Sequence, residues 1–412
     1  LALSQNVLGG PAPSEVARAA APWGRDPLGF LIAPNCAADF LETVYEKTSL
    51  IVHRQEPQRY SSVLSIDMID RMVAGMDLRA GQLDLANAQR PVRREDYVTD
   101  GLVDRGVVAR QHQGGSTIIL QQMHQFDPTL SDFCRALEQV FSCHIQTNIY
   151  LSPPEAQGFS TPYDSHDVFV VQVEGEKHWR LYDKPVDLPY RGERFDRRQH
   201  KTGALKEEFV LKAGDCAYVP RGMLHDASTS EGKPSLHITV GLIVKTWADL
   251  LIEAVSEAAL YEPAARRALP PGYAQQGFDR DRVRPEFAVL AQRVMERVRL
   301  DPAMDMFQDG FIRSRAPDTR GAVARAATPV ADADRFVARP FAAWRLVQKQ
   351  DALALITAGG DISFVGAEKP ALERALSGVA FGLADLTAEG APKPEEMIQR
   401  LVAFGLITID KA

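Results

Sequence analysis

A chain of 412 residues with 45% hydrophobic and 25% charged residues has the composition of a globular protein of two or three domains. Its net charge of −7 argues against a whole-chain nucleic-acid binder and leaves only a local basic patch for that role. Cys36, Cys134, Cys143 and Cys216 stand far apart with no CxxC pair, which argues against a zinc knuckle or a disulfide framework and makes a reducing cytosol the default compartment. No apolar run reaches the roughly 18 residues that a membrane-spanning helix needs. Residues 1–26 lack a basic start and an apolar core of signal-peptide length, and read as a loose leader.

Chain order gives the following elements. "SLIVHR" (49–54) is a short β-branched strand. "SSVLSIDMIDRMVAG" (61–75) is an N-capped helix closed by glycine. "STIILQQM" (116–123) reads as a strand or as the start of a helix. "SDFCRALEQVFS" (131–142) has helical spacing, with Phe133, Leu137, Val140 and Phe141 to one side. The period changes at 144. In "HIQTNIYLS", Ile145, Thr147, Ile149 and Leu151 point one way and His144, Gln146, Asn148 and Tyr150 the other. "DVFVVQVEG", "HWRLYD", "EEFVLKAGDCAYVPRG" and "SLHITVGLIV" follow as short strands between Gly and Pro turns, the pattern of a β-barrel or sandwich. Turns at Ala213-Gly214-Asp215 and Pro220-Arg221-Gly222 bracket a strand that delivers His225. Beyond 246, "TWADLLIEAVSEAALY" and "FAVLAQRVMERVRL" carry apolar stripes that serve as packing surface or as a dimer face. A polar linker spans 313–334. "DISFVG", "KPALERALSG", "KPEEMIQRLVAFG" and "LITID" then suggest a small winged-helix unit.

The chemistry-bearing run is "TPYDSHDVFVVQVEGEKHWRLYD" (161–183). If extended, it places Pro162, Asp164 and His166 on one face. One carboxylate and two imidazoles, with His225 arriving 59 residues after His166, make the ligand set of a facial triad with open positions on Fe(II). Lys177, just past the Glu174-Gly175 turn, is a cation able to hold a co-substrate carboxylate. Read in isolation, each has a plainer role. The histidines are ordinary strand residues, Lys177 is a solvated turn lysine, and Tyr150, Phe169 and Trp179 are core aromatics. "RGERFDRRQHK" (191–201) is an exposed basic loop.

Taken together, "HDVFVVQVEGEKHWRLY", "GDCAYVPRGMLHDA" and "SLHITVGL" resemble the cupin-like JmjC oxygenases related to the ribosomal protein hydroxylases. "DFLETVYEKTSLIVHR" is similar to that family's opening segment. The helical middle resembles its dimerisation region and the tail its winged-helix domain. The resemblance implies Fe(II) and 2-oxoglutarate as cofactors. It implies Asp164 and His225 as metal ligands, Lys177 as the grip on the C5 carboxylate of 2-oxoglutarate, and Asn148 and Tyr150 as pocket residues. The family's first ligand falls at position 162, and here that residue is Pro162, which has no lone pair for a metal. Three readings follow. In the first, His166 replaces the missing ligand; in the second, the pocket is catalytically silent. In the third, it binds another small molecule or metal as an ordinary cupin does.

The expectation is therefore a mixed α+β protein. A double-stranded β-helix (cupin/JmjC) domain covers 27–245, a helical dimerisation region and linker 246–335, and a winged-helix-like domain 336–412. The expected function is Fe(II)- and 2-oxoglutarate-dependent hydroxylation of a protein or peptide side chain in the cytoplasm. Asp164, His166 and His225 would hold the metal and carry the catalysis; Lys177, Asn148 and Tyr150 would bind the co-substrate. The chain would be a homodimer with no membrane or nucleic-acid partner. The alternative is a silent or divergent cupin-fold binding or scaffold protein.

Overall fold

The computed structural model describes residues 21–410, apart from 155, 157–162, 191–192, 194–195, 197, 199–201 and 231. Pro162 and most of the basic loop 191–201 thus lie outside the described residues, as does 1–20 of the expected leader. Trp23, also within that leader, is buried, with its ring edge-on to Phe133 at 5.7 Å.

The first helices start where their caps sit. Helix α1 (Pro27–Ile32) begins with Pro27 after Asp26, whose carboxylate accepts from the Gly29 N–H. Helix α2 (Ile66–Gly75) starts five residues later than expected, because Ser65 is its cap. Helix α3 (Arg105–Gln113) is capped by Asp104 and had no counterpart in the sequence reading. Helix α4 (Pro128–Phe141) starts three residues earlier than expected, because Asp127 caps it and Pro128 opens it. Phe133 and Leu137 of α4 are buried, whereas Val140 is exposed.

Nine strands form the β system: β1 (Leu50–Val52), β2 (Leu83–Ala86), β3 (Thr117–Gln121), β4 (His144–Ser152), β5 (Asp167–Tyr182), β6 (Leu205–Lys212), β7 (Cys216–Val219), β8 (His225–Thr229) and β9 (Ser235–Ile243). "STIILQQM" is thus a strand. The main order is β1-β7-β5-β9-β4-β3-β2, with β6 and β8 also paired to β5. The long strand β5 explains both facts. Its first half pairs with β9 and β7, and its second half with β6 and β8. The expected turn at Glu174-Gly175 is instead the point where one strand passes between sheets. The register against β9 shifts between Leu236 and His237, which marks a bulge. Gly175 has φ +67°, and a Cβ there would stand 1.9 Å from the Pro234 carbonyl oxygen. Only glycine fits this crossing.

Alternation then sorts the side chains. On β4, Ile145 and Ile149 join the large core with Phe133, Leu137 and Phe169. Asn148 and Tyr150 face the other way. Val168, Val170, Trp179, Leu211 and Ala217 form a second apolar cluster between the sheets.

The chain divides into two compact units, one running up to Val244 with Arg339–Phe341, the other comprising Lys245–Ala338 and Ala342 onward. Both the helical stretch and the tail expected as separate domains fall in the second unit. It contains α5 (Trp247–Leu260), α6 (Arg284–Arg297) and α7 (Leu300–Ser314). A strand pair, β10 (Phe336–Ala338) with β14 (Ile407–Ile409), and a meander of β11 (Trp344–Lys349), β12 (Ala352–Thr357) and β13 (Gly360–Val365) follow. Helices α8 (Lys369–Leu376), α9 (Leu383–Ala388) and α10 (Pro394–Ala403) pack their apolar faces in one core with Phe336 and Phe364. Among the described residues no helix is long and apolar enough to cross a membrane.

Candidate active site

A cavity of about 280 Å³ lies in the first unit, lined from several strands. Asn148, Tyr150 and Ser152 reach it from β4; Val168, Val170, Lys177 and Trp179 from β5; His225 from β8; and His237 and Thr239 from β9. Asp164 and His166 line it from the segment before β5. Residues 163–166 are not strand: β5 begins at Asp167, so the shared-face argument does not apply to Asp164 and His166.

Asp164 and His225 come together, with Nε2 of His225 3.7 Å from the Asp164 carboxylate. His225 Nδ1 sits 3.1 Å from the Met223 carbonyl. With Nδ1 donating to that carbonyl, the ring is oriented so that Nε2 faces Asp164. His166 lines the same cavity, but its ring lies over Gly241, where a Cβ would stand 2.7 Å from Nε2. Among the described residues no group of three His, Cys, Asp or Glu side chains is arranged to hold a metal ion. The structure therefore brings two of the three expected ligands together and leaves His166 apart on the cavity wall.

The two ligand-bearing turns are joined by a buried ion network. Asp167 accepts from Arg221 Nη1 at 2.6 Å and from the Tyr218 hydroxyl at 2.7 Å. Arg221 also reaches Glu46 at 2.6 Å. The Gly222 N–H donates to the Asp164 carbonyl at 3.0 Å, so the Pro220-Arg221-Gly222 turn and the Asp164 segment are tied directly.

Lys177 lies in the cavity wall and is not solvated: it is 6% exposed. Its Nζ is 3.4 Å from Ser152 Oγ and 5.9 Å from the centre of the Tyr150 ring. No carboxylate pairs with it among the described residues, and burial lowers its pKa to about 7. Tyr150 is pushed up to about 12, first by burial and then by the Asp164 charge. Trp179 Nε1, Asn148 Oδ1 and His237 Nδ1 are buried without hydrogen-bond partners among the described residues. Orphaned polar atoms beside a buried amine fit a polar, anionic small molecule at this end of the cavity. The other end offers Asp164 and His225 as metal donors.

Sequence reasoning missed His237. It sits in the quoted "SLHITVGL", and strand alternation would have placed it beside Thr239 on one face. Its partner across the sheet, Tyr150, is a matter of register alone. Phe169 is a core aromatic as the plainer reading holds; Tyr150 and Trp179 line the cavity.

Fold and cavity define a double-stranded β-helix protein whose cavity holds a buried lysine and an Asp–His pair. Residues 119–250 match the JmjC domain family. Similar proteins include the bifunctional lysine-specific demethylase and histidyl-hydroxylase NO66 of Aedes aegypti, 34% identical over 254 residues, 60% of this chain and 40% of that protein. NO66 of Drosophila mojavensis is 31% identical over 71% of this chain and 35% of its own length. The chain thus spans well under half the length of these curated relatives. Among solved structures, E. coli ycfD aligns over 92% of this chain and 99% of its own with TM-score 0.53 at 16% identity. YcfD with cobalt and 2-oxoglutarate aligns with TM-score 0.51, also at 16% identity, over 90% and 98%. Residues 119–250 thus match a JmjC domain, and the fold of the chain is similar to that of YcfD.

Proposed function

We propose that this protein is an Fe(II)- and 2-oxoglutarate-dependent oxygenase that hydroxylates a side chain of a protein or peptide. The carrying observation is Lys177, an amine buried without an acidic partner in the wall of a cavity that also holds the Asp164–His225 pair. Such an amine is matched only when an anion enters. Lys177 would take the far carboxylate, with Asn148 and Tyr150 flanking it. Asp164 and His225 would hold the metal, and His166, which stands apart from them over Gly241, would have to move in to serve as the third donor. When bound, Fe(II) and 2-oxoglutarate supply the oxidising power that lets dioxygen hydroxylate a C–H bond. The chain's own work is to orient the acid through Lys177, aim His225 Nε2 at the metal position through the Met223 contact, and exclude water with Val168, Val170 and Trp179. A protein substrate is supported by the NO66 relatives, named as acting on lysine and histidyl groups, and by the ribosomal oxygenase YcfD.

Two further parts of this reading concern the second unit. Its helices expose Trp247 (76%), Leu251, Ile252, Phe287 (73%) and Met304. We assign this apolar surface to a second copy of the chain; a monomeric mass by light scattering at micromolar concentration would refute that. Three short helices with a β-hairpin support a winged-helix-like tail. Net charge of −7 speaks for packing rather than nucleic-acid binding there. Four unpaired cysteines suit a cytoplasmic setting.

Succinate release from 2-oxoglutarate, measured with elemental analysis of the purified protein, tests the reading. Activity that is lost in Lys177→Ala and His225→Ala supports it; a metal-free, inactive wild type refutes it. The absence of a three-donor group among the described residues, together with Pro162, favours a second reading, a silent binding protein of the same fold. That metal-free outcome is what it requires.

A further inference from the structure

The three imidazoles that line the cavity, His166, His225 and His237, are not held alike. His225 is fixed by its Nδ1 contact with the Met223 carbonyl at 3.1 Å. His237 stacks on the Tyr150 ring at 4.8 Å and meets Trp179 edge-on at 5.6 Å. His166 is half-buried and makes no hydrogen bond, ion pair or ring contact among the described residues. Its ring only rests on the backbone of Gly241 in β9, where a Cβ would stand 2.5 Å from Cδ2 and 2.7 Å from Nε2. The ring thus occupies the space that any other residue at 241 would fill with its own side chain. The backbone on either side of His166 is pinned. The Asp164 carbonyl accepts from the Gly222 N–H at 3.0 Å, and the Asp167 carboxylate is held by Arg221 and Tyr218. The side chain is therefore the part free to move, and it has a second place to go. The Cα atoms of Asp164 and His166, two residues apart, are separated by at most about 7 Å.

We propose that His166 has two seats, one over Gly241 and one beside Asp164 and His225, and that it exchanges the first for the second when a divalent metal binds. The inference rests on the reading of Asp164 and His225 as metal donors, and deepens it by naming where the third donor waits and what holds it there. The seat over Gly241 accounts for two donors standing together without a third. Gly241 is then a positioning residue that sets the balance between the seats. Apparent metal affinity falls by the fraction of molecules whose imidazole is over Gly241, because only the others present all three donors. Two other side chains of the cavity wall could give a lone pair. Asp226 already accepts from the Tyr182 hydroxyl at 2.7 Å. Asn148 Oδ1 is buried without a partner among the described residues, and as third donor it would leave a single imidazole on the metal.

The test is Mn(II) binding to the full chain, read by calorimetry for affinity and by pulsed EPR for the number of imidazole nitrogens coupled to the metal. Gly241→Ala is the informative variant. Gly241 lies in a strand, is not among the glycines of positive φ, and has the Gln146 carbonyl at an ordinary 3.5 Å from the added Cβ. Alanine there collides only with the far end of the His166 ring, so it closes the first seat and leaves the strand intact. The wild type is expected to show two coupled imidazoles. Gly241→Ala is expected to bind Mn(II) about tenfold tighter, the gain when a seat filled about nine-tenths of the time is removed. That gain should vanish in the Gly241→Ala/His166→Ala double variant, since two substitutions acting through one contact are not additive. A single imidazole on the wild-type metal overturns the two seats whatever Gly241→Ala does. So does a folded Gly241→Ala protein with unchanged or weaker affinity, or a gain that survives in the double variant. A wild type that binds no Mn(II) overturns the metal reading and the two seats with it, whereas Mn(II) held through one imidazole overturns the two seats alone.

Discussion

Replacing Lys177 by Met is expected to stabilise the protein while weakening 2-oxoglutarate binding. The perturbation swaps a buried amine for an apolar chain of similar length. Lys177 has Ser152 Oγ at 3.4 Å and the Tyr150 ring at 5.9 Å, with no carboxylate partner among the described residues. Its pKa falls from 10.5 to about 7. At about 1.4 kcal/mol per unit, a fall of that size corresponds to roughly 5 kcal/mol between the charged and neutral forms. Relaxation and the lost Ser152 contact reduce the net gain, so Lys177→Met should add about 2–4 kcal/mol at pH 7. The sign follows from linkage. A depressed lysine pKa means that the unfolded chain binds more protons between about 7 and 10.5, so wild-type stability rises across that window. The advantage of the Met variant should therefore be full at pH 7 and shrink toward pH 10. Chemical denaturation of both proteins at pH 7, 8.5 and 9.5 reads this directly. A destabilised variant, or a difference that does not change with pH, would refute the picture of an unmatched buried amine. The same variant should bind 2-oxoglutarate more weakly, by the roughly 1.5–3 kcal/mol of a charge-assisted contact.

Gly175→Ala places a Cβ against the Pro234 carbonyl at a positive φ, and should cost more than about 2 kcal/mol in a thermal melt; a neutral result would mean that the sheet crossing bends differently. Arg221→Met leaves the buried Asp167 without its cation and is expected to cost about 3–5 kcal/mol by urea unfolding. Since the same turn holds the Asp164 carbonyl, that variant should also bind Mn(II) more weakly, and unchanged metal affinity would separate the network from the site. His166→Ala and His225→Ala are each expected to abolish Mn(II) binding by elemental analysis. Tight binding that survives His166→Ala removes His166 from the ligand set. A wild type with little metal, rescued by Pro162→His, would establish the silent reading instead.

Much of the site was legible because strand alternation and residue chemistry are local. The period of two in "HIQTNIYLS" already set Asn148 and Tyr150 on the face opposite Ile145 and Ile149, and the Gly and Pro turns around "DCAYVPRG" already delivered His225. Asp164 and Lys177 could be named by charge type and by likeness to a family. What lay beyond the sequence depends on which strand neighbours which. Glu174-Gly175 looks like a turn, because glycine ends strands as often as it lets one cross between sheets. Only the close approach of Pro234 shows the crossing. Lys177 looks solvated in "EGEKHW", because burial is a property of what packs over a residue, and Thr229 and Leu211 arrive from distant segments. His237 meets Tyr150 across 87 positions of chain, through a register that no local pattern encodes. The sequence by itself determined which side chains could bind an acid and a metal. The tertiary structure decided which of them share one cavity, because pairing across strands is set by the packing of the whole sheet, and that packing left an amine without an acidic partner and an imidazole nitrogen without a hydrogen bond among the described residues.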